Sequence, residues 1–347
     1  MSALMRNPRQ PSFAERVRDA RCVLVIELGG LGDALHALPA LWLLRQGCPQ
    51  ARLLLMVPAS TAALFHAAAP WIDELLPYRK QGWRGDLAAW RSLRAARPEA
   101  AIAITASNHA IGFVGLSGAR YRLARKADEN KRWRWQPLLL SDVIEVPFHR
   151  EPMYWQKWRF LRAAGFAGEQ PEFHVTIDPQ LRRAVGISAD DDRRYLHLSA
   201  SATDDRRDLP AAQMIALWEA LRQALPGYRF AVSALGNPRG LAKLDALLAG
   251  LSFTPWKVFR GTLDAPSFAA VIAGAALHVG PDSGGLHVAR VFGTPSVSWF
   301  RDNHHLRNWL PTEAEHLALV APNADDSGLH GIDTAALVRA ADRLLQR

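Results

Sequence analysis

Two glycine-rich segments of the sequence carry residue types that could do chemistry. The first, residues 27–39, has the sequence ELGGLGDALHALP and places Asp33 directly after its last glycine. Glycine lets the backbone approach a ligand closely, and the start of a helix presents free N–H groups. Asp33 would be either a helix N-cap or a carboxylate that takes a proton from a hydroxyl group, and the local pattern alone favours the N-cap. Pro39 lies beyond a normal first turn, so we expect an irregular or kinked helix start.

The second segment, residues 277–289, has the sequence LHVGPDSGGLHVA, with Asp282 at its centre. A strand runs into small residues and then a helix, so that Ser283, Gly284 and Gly285 could hold a diphosphate at the positive helix end. His287 lies in the first turn, where its ring could reach the same ligand. The alternative is a tight turn, a capped helix and a histidine on the helix face.

A third segment, residues 196–210 (LHLSASATDDRRDLP), leaves another strand and precedes another helix. Hydroxyl groups and a guanidinium at such a point suit phosphate binding. The alternative is a solvated polar loop.

Short aliphatic runs alternate with helical patterns along the whole chain, which is typical of βαβ units and a parallel sheet. The runs predict strands at 22–28, 52–57, 100–105, 195–199, 229–234, 256–259, 277–279 and 296–300. The patterns predict helices at 35–45, 59–68, 86–96, 153–164 and 211–225, and a last helix beginning at Asp333. We therefore expect an α/β protein with two Rossmann-like domains. Gly and turn formers at 165–171 put the boundary there, giving domains 1–168 and 169–347, where the last helix could pack back on the first domain.

Composition fits this organisation, because 347 residues with 49% hydrophobic and 22% charged residues suffice for two globular domains. The two cysteines allow neither a disulfide framework nor a Cys-rich zinc site, which indicates a reducing compartment. We expect a cytoplasmic protein, because the first residues lack the apolar run of a signal peptide and no segment could span a bilayer.

The net charge of +9 is concentrated in the first half, where residues 1–165 have 24 Lys and Arg against 13 Asp and Glu. This asymmetry favours an anionic partner, such as a membrane surface, a phosphorylated substrate or a nucleic acid. The alternative is a generally Arg-rich composition.

Other patterns argue against metals and dinucleotides. The spacing GGLG at 29–32 does not fit the G-x-G-x-x-G fingerprint, which disfavours an NAD-dependent oxidoreductase. The run 190–192, three aspartates, precedes a strand and adjoins two arginines, so we interpret it as a charged surface turn. His304 and His305 lack further ligands at a persuasive spacing. We expect no metal and no cofactor.

Taken together, the segments GDALHALP (32–39) and DSGGLH (282–287) resemble the heptosyltransferases, glycosyltransferase family 9. The resemblance implies the GT-B architecture, in which two Rossmann-like domains with parallel sheets face a central cleft. It implies an inverting, metal-independent transfer of a heptose from an ADP-sugar to the inner core of lipopolysaccharide. The N-terminal domain would bind the acceptor and the C-terminal domain the nucleotide sugar.

The same resemblance assigns roles to residues. Asp33 matches the catalytic base of the family. Arg207 fits a basic residue that contacts phosphate, with Arg206 as the second choice, and Ser201 or Thr203 would supply hydroxyl groups. The loop that holds the nucleotide diphosphate matches Asp282, Ser283, Gly284, Gly285 and His287.

A basic segment with interleaved aromatic residues, 120–135, would suit nucleic acid in isolation. Beside the transferase motifs we interpret it as a loop for an anionic, lipid-linked acceptor, with Lys131, Arg132 and Arg134 as contacts. Such an acceptor would place the protein peripherally at the inner membrane face. A solvated loop is the alternative.

Three features depart from the family pattern. Glu27 stands where relatives often have Lys or Arg, Gly285 replaces a common Pro or Leu, and residues 301–305 differ from the usual Gly-rich continuation. The alternatives are a non-catalytic nucleotide-binding or scaffold protein, a transferase that uses another nucleotide sugar, and glycosylation of a protein.

Overall fold

The computed structural model describes residues 11–127, 136–146, 151–326 and 328–346. The chain divides into two compact units, Met1–His174 and Val175–Arg347. The change from one unit to the other thus falls six residues after the predicted boundary at 168/169. No helix within the described ranges is long and apolar enough to cross a membrane.

The first unit contains a parallel sheet of six strands in the order β3-β2-β1-β4-β5-β6. The strands are β1 (Cys22–Ile26), β2 (Arg52–Pro58), β3 (Glu74–Tyr78), β4 (Ala100–Ala103), β5 (Tyr121–Ala127) and β6 (Asp142–Val146). The helices are α1 (Phe13–Val17), α2 (Leu31–Leu35), α3 (Leu38–Gly47), α4 (Ala59–Ala68), α5 (Gly82–Ala96), α6 (Asn108–Leu116) and α7 (Met153–Ala163), with a 3-10 helix at Gln136–Leu139.

The second unit repeats this order, since its sheet runs β12-β11-β10-β7-β8-β9. The strands are β7 (Tyr195–Ser199), β8 (Arg229–Ala234), β9 (Lys257–Arg260), β10 (Leu277–Pro281), β11 (Ser296–Phe300) and β12 (His316–Val320), and a hairpin adds β13 (Asn323–Asp325) and β14 (Gly328–His330). The helices are α8 (Gln180–Ala184), α9 (Ala211–Ala224), α10 (Pro238–Gly250), α11 (Ala265–Ala273), α12 (Gly284–Val291), α13 (Asn303–Trp309) and α14 (Thr334–Leu345). The last helix, α14, packs against α9 and the sheet of its own unit.

Every strand predicted from the sequence is present, because the central strands are aliphatic runs buried on both faces. The strands β3, β5, β6 and β12 and the hairpin β13–β14 were not predicted. Proline or charged residues interrupt the first three, with Pro77 in β3, Arg122 and Arg125 in β5 and Glu145 in β6. The strand β12 does contain an apolar run, at 317–320, but it lies at a sheet edge and is only partly buried. The predicted helix 35–45 is two helices, and Pro39 lies in the first turn of the second, α3, as the expected irregular start requires.

In both sheets the strand order reverses direction at the centre, between β1 and β4 and between β7 and β10. Ligands of open parallel sheets bind at this point, outside the carboxyl ends of the strands. The loops after β1, β7 and β10 are the three segments singled out in the sequence.

Candidate functional site

Asp33 lies close to the end of β1 in the first unit. The loop after β1 leads into α2 with Gly30 as the N-cap residue, so Asp33 is within the first turn and the N-cap interpretation is wrong. The Gly30 N–H donates a hydrogen bond to the Asp33 carboxylate, and the side chain remains 34% exposed. A carboxylate held in this way is fixed in place yet accessible to a hydroxyl group.

Burial raises the pKa of Asp33 above its ordinary value of 3.8, and it is the largest influence on this group. The ammonium of Lys157 acts in the opposite direction, while the carboxylate of Glu27 adds to the rise. A carboxylate with a raised pKa accepts a proton more readily than an ordinary aspartate. The environment of Asp33 therefore suits a general base.

Glu27 and Lys157 form a buried ion pair beside Asp33. The Lys157 Nζ lies 2.7 Å from Glu27 Oε2, and the two side chains are 1% and 0% exposed. Glu27 Oε1 accepts a hydrogen bond from the Gly29 N–H at 2.8 Å. It accepts a second one from the hydroxyl of Thr105, a residue that follows β4. Burial alone would raise the pKa of Glu27, but the Lys157 ammonium and these donors outweigh it and lower the pKa. Glu27 is therefore an ionised anchor for the loop.

Lys157 also contacts Asp33 directly. Its Nζ donates to the Asp33 carbonyl and lies 3.9 Å from the carboxylate Oδ1. Although Glu27 stands where relatives often have Lys or Arg, Asp33 still has a neighbouring cation, which α7 supplies. Lys157 was not predicted from the sequence, although a signal existed. Lys157 lies four residues after Met153 and four before Leu161, on the apolar face of an amphipathic helix.

The path of the loop requires a glycine at position 29. A Cβ atom there would lie 2.3 Å from the Asp33 Cβ and 2.9 Å from its Oδ2, whereas a Cβ at Gly30 would meet nothing within 4 Å. Gly29→Ala should displace the carboxylate and lower kcat/KM by about tenfold to a hundredfold, because misplacement of a catalytic group by an ångström costs that much. Gly30→Ala is the matched control. Steady-state kinetics of both variants test this, and equal losses would contradict it.

The loop after β10 begins the candidate phosphate site of the second unit. Ser283 is the N-cap residue of α12 and its side chain makes no capping hydrogen bond, while Gly284 and Gly285 are the first two residues of the helix. Asp282 is 2% exposed, and burial raises its pKa to about 6 against the opposing influence of Arg207. His287 Nε2 lies 4.0 Å from Asp282 Oδ1. The predicted diphosphate residues therefore surround one helix N-terminus.

Arg207 and Arg206 have different surroundings. The Arg207 Nη1 lies 3.2 Å from the Asp282 carbonyl oxygen and 3.4 Å from its Oδ2. Arg206 instead bonds Asp204 through two nitrogens, at 3.0 and 2.9 Å. Trp299 Nε1 donates to the Arg207 carbonyl at 3.1 Å and fixes the backbone there. Arg207 is therefore the arginine beside the start of α12.

The hydroxyl groups of the β7 loop also differ in their surroundings. Ser201 is buried, and its Oγ has no hydrogen-bond partner within the described ranges. Thr203 is exposed. Of these two, Ser201 has the buried hydroxyl with free hydrogen-bonding capacity.

A buried cluster that was not predicted from the sequence holds the loop of Ser201 in shape. Asp208 accepts a hydrogen bond from the Ala202 N–H at 2.7 Å and pairs with Lys243 Nζ at 2.9 Å. Arg239, which lies on α10 together with Lys243, donates a hydrogen bond to the Ala202 carbonyl. The partners of Asp208 come from a distant helix, so local sequence gave no signal for the cluster.

The glycine at position 285 has a steric reason. A Cβ there would lie 2.7 Å from the Cε1 of His278, a buried residue of β10. His278 Nδ1 lies 2.9 Å from His197 Nδ1, and burial lowers the pKa of His197 to about 3. The space that a larger residue would occupy is therefore filled by a buried histidine ring.

The unusual segment after Phe300 forms the start of α13. Asp302 caps this helix by accepting a hydrogen bond from the His305 N–H at 2.7 Å. At the other end of α13, the ring of Trp309 lies 5.4 Å from that of His287. The segment thus positions an aromatic side chain against a residue of the candidate phosphate site.

The basic segment 120–135 is only partly described. Residues 121–127 form β5 and Arg125 is 1% exposed, so the prediction of a loop is wrong for this part. Arg125 is held inside by Gln156, whose Oε1 accepts its hydrogen bond. The predicted acceptor contacts Lys131, Arg132 and Arg134 lie outside the described residues.

The aspartates at 190–192 lie in a short turn, as expected. Asp191 bonds Ser188 and Arg229, and Asp192 pairs with Arg182. Within the described ranges, no group of three or more His, Cys, Asp or Glu residues could hold a metal ion.

Residues 87–325 match the model of glycosyltransferase family 9 (heptosyltransferase). The lipopolysaccharide core heptosyltransferase OpsX of Haemophilus influenzae is 23% identical over 301 residues, which cover 86% of this chain and 83% of that protein.

Two solved structures resemble both units. A family 9 glycosyltransferase from Veillonella parvula has a TM-score of 0.79 at 17% identity, covering 95% of this chain and 98% of that one. The E. coli heptosyltransferase WaaC, solved with ADP, has a TM-score of 0.70 at 19% identity, covering 94% and 100%. The predicted α/β fold of the GT-B class is confirmed.

Proposed function

The chain belongs to glycosyltransferase family 9, the heptosyltransferases, and on that premise we propose that it moves a heptose from ADP-heptose to a lipopolysaccharide core or related anionic glycan. The similarity to OpsX supports the acceptor class, and the fold shared with WaaC, which was solved with ADP, supports the donor. The observation that most supports an active enzyme is the environment of Asp33. Its carboxylate is partly exposed, has a raised pKa, and lies 3.9 Å from the Lys157 Nζ.

In the proposed reaction, Asp33 removes the proton from an acceptor hydroxyl group. The freed oxygen attacks the anomeric carbon of the donor, and the bond from that carbon to the diphosphate oxygen breaks as the new bond forms. One displacement inverts the anomeric configuration and leaves ADP. Asp33 holds the proton until solvent takes it, and Lys157 stabilises the carboxylate before transfer.

The second unit would bind the donor and stabilise the charge of the leaving diphosphate. The first N–H groups of α12 point toward its N-terminus, where Arg207 also lies. A helix N-terminus and a guanidinium together provide the positive charge that departing phosphate requires. We propose that they make the reaction independent of a metal ion, with Ser201, Thr203, Ser283 and His287 as further donor contacts.

Binding of ADP tests the donor site. Arg207→Gln should weaken ADP about tenfold to a hundredfold, because a hydrogen bond to a charged group contributes about 1.5–3 kcal/mol. Arg206→Gln is the matched control and should change the affinity by less than about threefold, since its exposed pair contributes little. Calorimetric titration with ADP, UDP and GDP measures both effects. Preference for UDP or GDP would change the proposed donor, and absence of nucleotide binding would overturn the function.

The acceptor would bind to the first unit, which carries the excess positive charge. We propose a lipid-linked, anionic glycan as acceptor and a cytoplasmic enzyme that contacts the inner membrane face. Lys131, Arg132 and Arg134 remain the proposed contacts to the acceptor, and neutralising them should raise the acceptor KM without changing ADP affinity.

A further inference from the structure

The first unit exposes an unusual set of large apolar side chains. Within the described ranges, all four large hydrophobic residues that are exposed belong to it: Trp83 at 71%, Trp90 at 36%, Leu116 at 56% and Leu138 at 84%. Single exposed apolar residues are common, but a contiguous group indicates a surface that meets a partner.

The elements that carry these residues are in contact. Trp83 and Trp90 are seven residues apart on α5 and therefore share one face of that helix. The Trp90 Nε1 donates a hydrogen bond at 3.1 Å to the carbonyl of Leu116, at the end of α6. The 3-10 helix that carries Leu138 packs on α6, where Gly115 meets the side chain of Leu139. We name these four exposed residues and the arginines of α5 the α5–α6 surface.

The helix that carries both tryptophans is poorly buried in its own unit. Of the fifteen residues of α5, Leu93 alone is fully buried. A helix of this length normally covers the core with an apolar stripe. Most of α5 therefore faces solvent.

The charge of this surface is positive. Arg84, Arg91 and Arg94 lie on α5, and the Arg84 guanidinium lies 5.4 Å from the centre of the Trp83 ring. The single acid of α5, Asp86, is engaged by the Tyr78 hydroxyl at 2.7 Å and by His109 at 3.1 Å. Indole rings beside arginines are typical of side chains at a membrane interface, where the ring enters the headgroup layer and the cation meets phosphate.

We infer that the α5–α6 surface docks the first unit on anionic lipid headgroups of a bilayer. A second copy of the chain fits less well, because two copies of the same basic surface would repel each other. The inferred binding to lipid depends on the residues of this surface alone. Its use in catalysis rests on the proposed function, since a lipid-linked acceptor requires the enzyme to work at a membrane.

Co-sedimentation of the full chain with vesicles tests the inference. The protein should bind vesicles of phosphatidylcholine and phosphatidylglycerol, bind phosphatidylcholine alone much more weakly, and be released by salt. Trp83→Ser with Leu138→Ser, and separately Arg84→Gln with Arg91→Gln, should each lower the partition coefficient by at least about tenfold. Arg339→Gln with Arg343→Gln, on the exposed face of α14 in the second unit, removes the same charge and should have little effect.

Three results would overturn the inference: no preference for anionic vesicles, equal losses in the control, or a dimer in sedimentation equilibrium that the Trp83 variant dissolves. Circular dichroism verifies that each variant is folded. ADP titration and transfer to a soluble, delipidated acceptor do not depend on vesicles. Failure of membrane docking is therefore distinguishable from failure of the proposed function.

Discussion

Asp33→Asn is expected to lower kcat for heptosyl transfer by about a thousandfold, because it removes the group that accepts the acceptor proton. The Kd for ADP should not change, since the proposed nucleotide contacts belong to the second unit. Turnover of ADP-heptose and calorimetric titration of the same preparation measure the two quantities. A matched control is Asp19→Asn, which neutralises an exposed carboxylate of the same unit and should leave kcat unchanged.

Stability separates this catalytic role from a structural one. The pKa of Asp33 is raised in the folded state, so folding favours its protonated form, and its stabilising contribution is lost as pH rises through that raised pKa. At pH values above it, Asp33→Asn should therefore leave the Tm unchanged or raise it slightly. A kcat close to that of the native protein, or a loss of activity accompanied by a large fall in Tm, would contradict the assignment.

Replacement of Lys157 should have the second largest effect. Lys157→Met leaves the Glu27 carboxylate buried without its partner, which costs about 3–5 kcal/mol and can prevent folding. The informative variant is the neutral pair, Glu27→Gln with Lys157→Met, which keeps the volume and removes both charges. Lys157→Arg, which preserves the charge, serves as the conservative control.

The readout is the pH profile of kcat/KM. In the native protein the acidic limb should lie above pH 3.8, because burial raises the pKa of Asp33. The neutral pair should move this limb to still higher pH, since the Lys157 ammonium lowers the pKa of Asp33 more strongly than the Glu27 carboxylate raises it. Lys157→Arg should retain the native limb. If the acidic limb does not move and activity is lost at all pH values, Lys157 has a structural role. It then neither positions Asp33 nor sets its pKa.

The sequence was sufficient to predict two parallel sheets, most of their central strands and the loops that carry chemistry, because those strands are continuous apolar runs and their loops contain glycine. The internal strand β5 was missed because three of its seven residues are basic. It placed Asp33 at a helix start but favoured the wrong role there. The N-cap is Gly30, which needs no side chain to begin a helix. The local pattern could not decide whether Gly30 or Asp33 is the N-cap residue, since both residues are compatible with the start of the helix.

Contacts between distant residues were beyond local patterns. Lys157 meets Glu27 across 130 positions of sequence, and Arg125 meets Gln156 across 31. Arg125 was interpreted as part of a loop because it belongs to a basic segment with interleaved aromatic residues. Arginine is rarely buried without a partner, and here the partner comes from another element. Similarly, the need for glycine at position 285 is explained only when β10 places the ring of His278 where a Cβ atom would lie.

The most direct test of the central proposal is NMR spectroscopy of the product formed from ADP-heptose and a heptose-free lipopolysaccharide core fragment, with EDTA present. We expect a new glycosidic bond whose anomeric configuration is opposite to that of the donor, formed at the same rate without added metal. Retention of the donor configuration, or transfer that stops with EDTA, would contradict the single displacement by Asp33. Absence of any heptosyl product, from a chain that binds ADP, would contradict the proposed substrates.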